Sequence, residues 1–251
     1  MRKIGLRIAY DGTHYAGWQR QPNVPTVQEH LEHNLSIITK QPVTLHGSGR
    51  TDAGVHALGQ VAHFATDVRM PAEKFALAAN AGLPQDIRVM ESWEAPLDFH
   101  ARYSARRKRY RYVICNAPVA SALMGRYEWH LHTPLNIERM QRAVPLLVGE
   151  HDFSAFTGAG CHIEQRVRTV YDSALRQRGE QVIYEVEGNG FLYNMVRIMV
   201  GTLVDIGYGR LEPAYISQLL AGKDRSYAGQ TAPAHGLTLQ HVQYDGKERQ
   251  Q

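Results

Sequence analysis

The sequence predicts an α+β fold, because strand-like and helical patterns follow one another in a similar order in both halves of the chain. Apolar and polar residues alternate from Ile4 to Tyr10, which is the period of a half-buried strand. Thr26-Val27-Gln28-Glu29 has the form of a capping box, and apolar residues follow it at helical spacing. The first half continues as β-α-β-β-α-β, which is the ferredoxin-like order.

The other elements of the first half show the same periodicities, bounded by turn residues. They are a short strand at 42–46, a strand at 60–66, a helix that begins at Pro71 and ends at Gly82-Leu83-Pro84, and a strand at 87–93. Proline at the start and glycine at the end are typical of helix limits.

The second half resembles the first in outline. The expected elements are a strand at 106–115, a helix capped by Thr133-Pro134, a hairpin of strands at 166–176 and 181–187, an apolar helix at 191–206, a short helix after Glu212-Pro213 and a strand at 237–244. We therefore expect two ferredoxin-like halves, residues 1–103 and 104–245, followed by a tail at 246–251.

The composition indicates an ordinary globular protein, with 251 residues of which 43% are hydrophobic and 21% charged. A net charge of +4 favours an anionic partner without identifying one. The two cysteines, Cys115 and Cys161, give neither a disulfide framework nor a zinc-finger spacing. The sequence shows no signal-peptide region and no apolar run long enough to span a bilayer. We expect a soluble protein of a reducing compartment.

The segment Gly47–Ala57, with the sequence GSGRTDAGVHA, contains several residues that could take part in catalysis or ligand binding. Its glycines allow tight turns and the close approach of a ligand. Arg50 and Asp52 are two residues apart, so in an extended segment both side chains leave on the same side, where the cation would keep the carboxylate ionised. A surface loop with an incidental ion pair is the simpler alternative.

The predicted strand at 106–115 is both basic and aromatic. Strand alternation puts Lys108, Tyr110 and Tyr112 on one face and Arg107, Arg109 and Arg111 on the other. Cations interleaved with tyrosines suit a polynucleotide, because the cations bind phosphates and the rings stack on bases. The alternative is a charged edge strand that prevents aggregation.

Arg197 lies in an apolar helical segment, so the sequence predicts that it is buried and needs a partner. Asp205 is two turns away and does not face it within the helix. Asp52 is one candidate partner; Asp98, Glu91 or a group of backbone carbonyls are the others.

The histidines offer little support for a metal site. His130 and His132 form the one tight pair on a strand face, and the chain has neither a helical H-E-x-x-H motif nor a Cys/His quartet. His56 and His63 are expected to serve packing or hydrogen bonding. No Walker loop, G-x-G-x-x-G or G-x-S-x-G motif is found, so no cofactor is expected.

At these residues the chain resembles the tRNA pseudouridine synthase A (TruA) family, whose catalytic motif is similar to Gly47–Ala57. The similarity continues along nearly the whole chain through Tyr10-Asp11-Gly12, Gly17-Trp18-Gln19-Arg20, Thr26-Val27-Gln28, Leu83–Ile87, Phe99–Arg102, Arg109–Tyr112, His151-Asp152-Phe153, Arg168-Thr169-Val170, Met195-Val196-Arg197 with Gly201, Ala232-Pro233-Ala234 and Gly236–Leu239.

The resemblance implies an enzyme that isomerises uridine to pseudouridine at positions 38, 39 and 40 of the tRNA anticodon stem-loop, without metal or cofactor. Asp52 would be the nucleophile, with Arg50 and Arg197 as its ion-pair and substrate-positioning partners. Tyr110 would stack on the target uracil, and the basic Arg109 and Arg111 beside it would bind substrate. The implied architecture joins the two halves through one antiparallel sheet, with helices on one side and a central cleft. It also implies a cytoplasmic homodimer.

Two other functions are compatible with parts of the sequence. A non-catalytic RNA-binding protein with paired RRM-like modules would explain the basic and aromatic strand, but it gives Asp52 and Arg197 no role. A metal-dependent hydrolase using His130 and His132 would explain neither the strand nor the glycines. For the isomerisation itself, a single aspartate could attack C1′, attack C6 or remove a sugar proton.

Overall fold

The computed structural model of the chain describes residues 1–245, so the tail expected at 246–251 lies outside the described residues. The chain forms two compact units, which we call unit 1 and unit 2. Unit 1 comprises Met1–Arg106 together with the described residues from Thr238 onward, and unit 2 comprises Arg107–Leu237. Both units contain strands and helices, which confirms the predicted α+β class.

The strands are β1 (Arg2–Tyr10), β2 (His46–Gly47), β3 (His56–Thr66), β4 (Ile87–Ala95), β5 (Ala105–Asn116), β6 (Trp129–Leu131), β7 (Gly149–Asp152), β8 (Val167–Arg178), β9 (Gln181–Gly188) and β10 (Leu237–Tyr244). The α-helices are α1 (Val27–Thr39), α2 (Lys74–Gly82), α3 (Ile137–Ala143), α4 (Met195–Gly207) and α5 (Tyr215–Gly222). Short 3₁₀ turns separate several of these elements.

The sheet of unit 1 has the strand order β4-β1-β3-β10, and β2 also pairs with β3. β1 is antiparallel to both neighbours, whereas β10 runs parallel to β3. The strand expected at 42–46 is wrong in extent, because only His46 and Gly47 form β2. The backbone before them bonds to α1 instead: Val43 N–H donates to Ser36 Oγ and Leu45 N–H to Glu32 Oε1, both at 2.9 Å.

The helices of unit 1 form close to their predicted positions, although α2 begins at Lys74 and not at Pro71. Thr26 caps α1, because its Oγ1 accepts from the Glu29 N–H at 3.4 Å. The α2 helix packs on the sheet through Phe75, whose ring meets that of Phe64 edge to face at 5.5 Å. Asn80 then fixes α2 to β4, since its side chain both donates to and accepts from the Val89 backbone at 2.8 Å.

The sheet of unit 2 has the order β5-β9-β8-β7, with β6 parallel to β5. The predicted hairpin is formed by β8 and β9. The cap predicted for the next helix is wrong: α3 is capped by Asn136, not by Thr133, because Asn136 Oδ1 accepts from the Arg139 N–H at 3.0 Å. The short strands β6 and β7 have no counterpart in the predicted element order.

The apolar helix of unit 2 begins later than predicted. Residues 189–194 are not helical, because Asn189 bonds to Thr169 through both its backbone N–H and its side-chain Oδ1 and Asn194 has φ +61. All of α4 is buried except Arg197 and Asp205, which are partly buried. Across the residues that the structure describes, no helix is both long and apolar enough to cross a membrane.

Candidate active site

Asp52 lies on the loop between β2 and β3, and buried side chains of unit 1 fix the first part of that loop. The Ser48 N–H donates to the Val61 carbonyl at 2.7 Å, and Ser48 Oγ donates to Gln60 Oε1 at 2.6 Å. The Gln60 amide nitrogen donates to the Gly49 carbonyl at 3.0 Å. Because Ser48 and Gln60 are fully buried, these bonds anchor the loop inside the unit.

Thr51, the residue before Asp52, is held from two further directions. Its Oγ1 shares a hydrogen bond of 2.8 Å with the Tyr10 hydroxyl, and its carbonyl accepts from the Trp18 N–H at 3.1 Å. Burial raises the pKa of Tyr10, so the phenol stays protonated at neutral pH. The backbone beside the candidate nucleophile is therefore fixed by two aromatic residues.

Asp52 begins a tight turn, since the Val55 N–H donates to its carbonyl at 3.1 Å. Its side chain is partly exposed. Two glycines outside the loop allow another backbone segment to lie directly against it. A Cβ on Gly17 would stand 2.6 Å from the Thr51 carbonyl oxygen, and one on Gly12 would overlap the Val55 carbonyl. Neither position has room for a side chain.

His56 closes the other end of the loop. Its Nδ1 accepts from the Gly12 N–H at 3.0 Å, and Asp11 Oδ1 lies 3.1 Å from the same nitrogen. Asp11 Oδ1 also accepts from the Thr13 N–H at 3.0 Å. His56 therefore ties residues 11–13 to the start of β3, in agreement with its expected hydrogen-bonding role.

Arg50 lies on the same anchored loop, and its side chain is exposed. Its ion pair with Asp52 and its contact with substrate remain predictions.

Arg197 is held in place on the first turn of α4. Its Nε donates to the Ala232 carbonyl at 2.7 Å, and its Nη1 donates to Asn194 Oδ1 at 2.8 Å. The Ala232 N–H donates back to the Arg197 carbonyl at 3.1 Å. A backbone carbonyl is therefore one partner of this guanidinium, as one of the alternatives predicted. Its predicted pairing with Asp52 remains a prediction.

Tyr110 and Tyr112 lie side by side on the buried face of β5. The Tyr110 ring is 9% exposed and meets the Phe191 ring edge to face at 5.2 Å. Tyr112 is fully buried and donates its hydroxyl hydrogen to the Pro233 carbonyl at 2.8 Å. Burial raises the pKa of Tyr112, and the positive charge of Arg197 opposes this effect, which places Arg197 close to β5.

The arginines of β5 lie on the opposite face of the strand, as predicted, but they are already paired. Arg109 contacts Glu187 at 3.2 Å and Arg111 contacts Glu185 at 2.8 Å. Arg107 also bonds to Glu187, at 3.0 Å. Both glutamates are only 7% exposed, so the arginines neutralise charges that could not be buried alone.

Comparison with known proteins identifies the class of the chain. Residues 7–104 and 143–245 match the family described as tRNA pseudouridine synthase. The chain belongs to this family. It is 48% identical to the tRNA pseudouridine synthase A of Halalkalibacterium halodurans, with 94% of this chain and 90% of that protein covered. Identity to the same enzyme of Ruminiclostridium cellulolyticum is 49%, with 97% of this chain and 100% of that protein covered.

Membership of the tRNA pseudouridine synthase family confirms the resemblance and the predicted enzyme class, an isomerase. Asp52, Arg50 and Arg197 lie inside the two matched segments, whereas Arg109, Tyr110 and Arg111 lie between them. A solved archaeal box H/ACA sRNP Nop10–Cbf5 complex is also similar, at 14% identity and a TM-score of 0.39. The chain spans half the length of that solved chain, and at this level the similarity carries no argument.

His130 and His63 take part in hydrogen bonds to the backbone. His130 Nε2 bonds to the Ala117 carbonyl at 2.8 Å, and His63 Nδ1 accepts from the Ala101 N–H at 3.2 Å. Burial, assisted by the charges of His100, His46 and Lys3, lowers the pKa of His63 to about 4. No group of three metal-ligating side chains occurs among residues 1–245.

The residues that support the Asp52 loop could not be assigned from the sequence. Tyr10 and Trp18 belong to blocks that resemble the family, but nothing in the sequence assigns them to Thr51. Gln60 carried no signal except its place in a strand pattern, where a polar residue is expected to face solvent. Its full burial shows that it is the polar anchor of the loop.

Proposed function

We propose that this chain converts uridine to pseudouridine at positions 38, 39 and 40 of the tRNA anticodon stem-loop, with Asp52 as nucleophile and without metal or cofactor. The observation that carries the proposal is the loop of Asp52: a partly exposed carboxylate on a backbone that buried groups anchor on both sides, in a member of the tRNA pseudouridine synthase family. A fixed reactive group avoids the cost of ordering it during the reaction.

The reaction cleaves the bond between N1 of uracil and C1′ of ribose and joins C1′ to C5. The C5 proton is lost and N1 gains one, so the atoms balance without an external reactant. Asp52 could act by attack on C1′, by attack on C6 or by removal of a sugar proton. Each route needs an ionised carboxylate close to the target nucleotide, which must leave its stack to reach it.

Arg197 is proposed to pair with Asp52 and to orient it. Its bonds to Ala232 and Asn194 support this role, because they fix the guanidinium while leaving other N–H donors for a carboxylate. Arg50, which is exposed, is proposed to contact the substrate. Both cations would favour the anionic form of Asp52.

Tyr110 is proposed to stack on the target uracil. Such stacking is worth about 1–3 kcal/mol per base, which offsets much of the cost of unstacking. The edge-to-face contact with Phe191 supports this role because it fixes the orientation of the ring. Arg109 and Arg111 are proposed to bind substrate through guanidinium donors that their glutamates do not use.

The proposal extends to the architecture and the setting. In unit 1, β4, β1 and β3 are neighbours in that order and β2 also pairs with β3, an arrangement that suits a ferredoxin-like half. We propose that two such halves share one antiparallel sheet with helices on one side, that the site lies in a central cleft and that the enzyme is a cytoplasmic homodimer.

Incubation of the purified protein with unmodified tRNA, followed by pseudouridine mapping, tests this function. Wild type should modify positions 38–40, and Asp52→Asn should not. Asp67→Asn is a matched control, because it removes an exposed carboxylate from the same unit. Modification by Asp52→Asn at the wild-type level, or modification elsewhere in the tRNA by wild type, would contradict the proposal.

A further inference from the structure

Two arginines of unit 2 that have no paired carboxylate within residues 1–245, Arg166 and Arg225, lie outside the basic strand β5. Arg107, Arg109 and Arg111 each contact a buried glutamate, so much of their charge is compensated within the protein. Arg166 and Arg225 form no salt bridge with any residue in the part of the chain that the structure describes. An anionic ligand gains most from cations whose charge is not already compensated.

Arg166 and Arg225 line the same surface pocket, together with Lys223. The pocket has a volume of about 370 Å³ and is lined by residues 154, 157–161, 166 and 223–225 of unit 2. Arg225 is partly buried, and its guanidinium donates to the Ala228 carbonyl at 3.2 Å and to Thr231 Oγ1 at 3.3 Å. These partners are neutral, so they orient the guanidinium without compensating its charge. Burial lowers the pKa of Arg225, which shows that the cation is partly desolvated.

The two carboxylates near this pocket are already engaged. Asp224 Oδ1 accepts from the Ser226 N–H at 2.9 Å and from Ser226 Oγ at 2.8 Å. Asp152 Oδ1 accepts from Ser154 in the same way, and its Oδ2 lies 3.0 Å from Lys223 Nζ. The residues that line the pocket therefore include three cations, Arg166, Lys223 and Arg225, and one carboxylate, Asp224, which closes a serine turn. The pocket keeps a positive charge.

The pocket shares a wall with the residues that position Arg197. Gly158 lines the pocket, and its N–H donates to the Tyr193 carbonyl at 2.9 Å. A Cβ on Gly158 would lie 2.7 Å from Asn194 Nδ2, so the Asn194 side chain lies directly against the Gly158 backbone. Asn194 in turn accepts a hydrogen bond from Arg197. The pocket therefore adjoins a residue that holds the Arg197 guanidinium.

We propose that the pocket formed by Arg166, Lys223 and Arg225 binds a backbone phosphate of the RNA substrate, next to the nucleotide that Arg197 positions. The proposal rests on the proposed function and names a binding site for that substrate. Guanidinium and ammonium groups bind phosphate oxygens through charge-assisted hydrogen bonds, and such contacts fix register without reading sequence.

The test measures how tRNA affinity depends on salt. Each phosphate contact contributes about 0.7 to 0.9 to the slope of log K against log salt concentration, because binding releases a counterion. Arg166→Gln should reduce the slope by about that amount and raise Kd about five- to twentyfold at low salt. Arg178→Gln is the matched control, since Arg178 is exposed in the same unit; it should stay within about twofold of wild type.

Two further arms complete the test. Arg166→Glu should weaken binding more than Arg166→Gln, because it places a like charge beside the phosphate. Replacing chloride by inorganic phosphate at constant ionic strength should weaken tRNA binding by wild type more than by Arg166→Gln, because free phosphate competes for the pocket.

The proposal is overturned if Arg166→Gln, folded by its melting temperature, binds tRNA with the wild-type slope and affinity. It is also overturned if Arg178→Gln loses as much tRNA affinity as Arg166→Gln, because the loss would then come from the change in net charge. A third outcome is that inorganic phosphate binds the pocket but Arg166→Gln binds tRNA with the wild-type affinity. The pocket would then be a site for a free anion, and the proposal would be overturned. Pseudouridine mapping of the wild-type protein tests the proposed function independently of these binding measurements. A wrong proposal about the pocket can therefore be distinguished from a wrong proposal about the function.

Discussion

Gly17→Ala tests whether the position of the Asp52 loop controls the reaction. Gly17 has φ +98, and an added Cβ would lie 2.6 Å from the Thr51 carbonyl oxygen and 3.1 Å from the Asp52 carbonyl carbon. Ordinary contacts begin at 3.4 Å, so the loop must move by about 0.8 Å. A misplacement of about 1 Å can cost roughly 10²-fold in rate. We therefore expect kcat to fall about ten- to a hundredfold.

The assay for Gly17→Ala follows tritium released from tRNA labelled at C5 of uridine, since C5 loses its hydrogen in the reaction. The left-handed backbone alone costs about 1–3 kcal/mol, which lowers the melting temperature by several degrees. Gly209→Ala separates the two effects, because Gly209 has φ +74 and nothing within 4 Å of an added Cβ. The control should lose stability and keep kcat. The reasoning would be refuted if Gly17→Ala kept the wild-type kcat, or if Gly209→Ala lost as much kcat as Gly17→Ala.

Three further predictions concern single side chains. Arg197→Met should fold with a lowered melting temperature, because two hydrogen bonds are lost, and should lose activity; a fully active variant would contradict the pairing with Asp52. Tyr110→Ala should reduce kcat more than tRNA affinity, and an unchanged rate would move the stacking role to another residue. His63 has a folded pKa of about 4, below its ordinary value of 6.5, so the unfolded chain binds more protons between these pH values. Stability should therefore fall as pH drops from about 6.5 to 4. The melting temperature should change less over this pH range in His63→Gln than in wild type.

The sequence predicted the long elements because their periods are strong. β1, β5, the β8–β9 hairpin and α1 all lie within a few residues of their predicted positions. The short elements were missed for a physical reason. Tertiary hydrogen bonds define β2, β6 and β7, and two to four residues carry no readable period.

The charge pattern of β5 shows where sequence reasoning reaches its limit. The alternation of Tyr110 with Arg109 and Arg111 was read correctly. Their partners, Glu185 and Glu187, lie more than 70 residues away and meet the arginines only through the register of β5 with β9. The basic strand is therefore less available to RNA than its composition suggests, whereas the pocket of Arg166, Lys223 and Arg225 has no sequence pattern at all.

The support of Asp52 was also beyond prediction. Gly12 and Gly17 stand in blocks that resemble the family, and only their contacts with Val55 and Thr51 show why a side chain is excluded. Gln60 is polar at a position where the strand is buried on both sides, because its amide bonds to the loop. Such roles depend on which segments the fold brings together.

The most direct test of the central claim is the rate of tritium release from C5-labelled tRNA by Asp52→Asn, measured beside its affinity for the same tRNA. The substitution keeps the size of the side chain and removes its charge, so binding should stay within about tenfold of wild type, because charge near phosphate is the one term altered. Tritium release should be abolished. Release at the wild-type rate by a variant that binds tRNA normally would contradict the assignment of Asp52 as nucleophile.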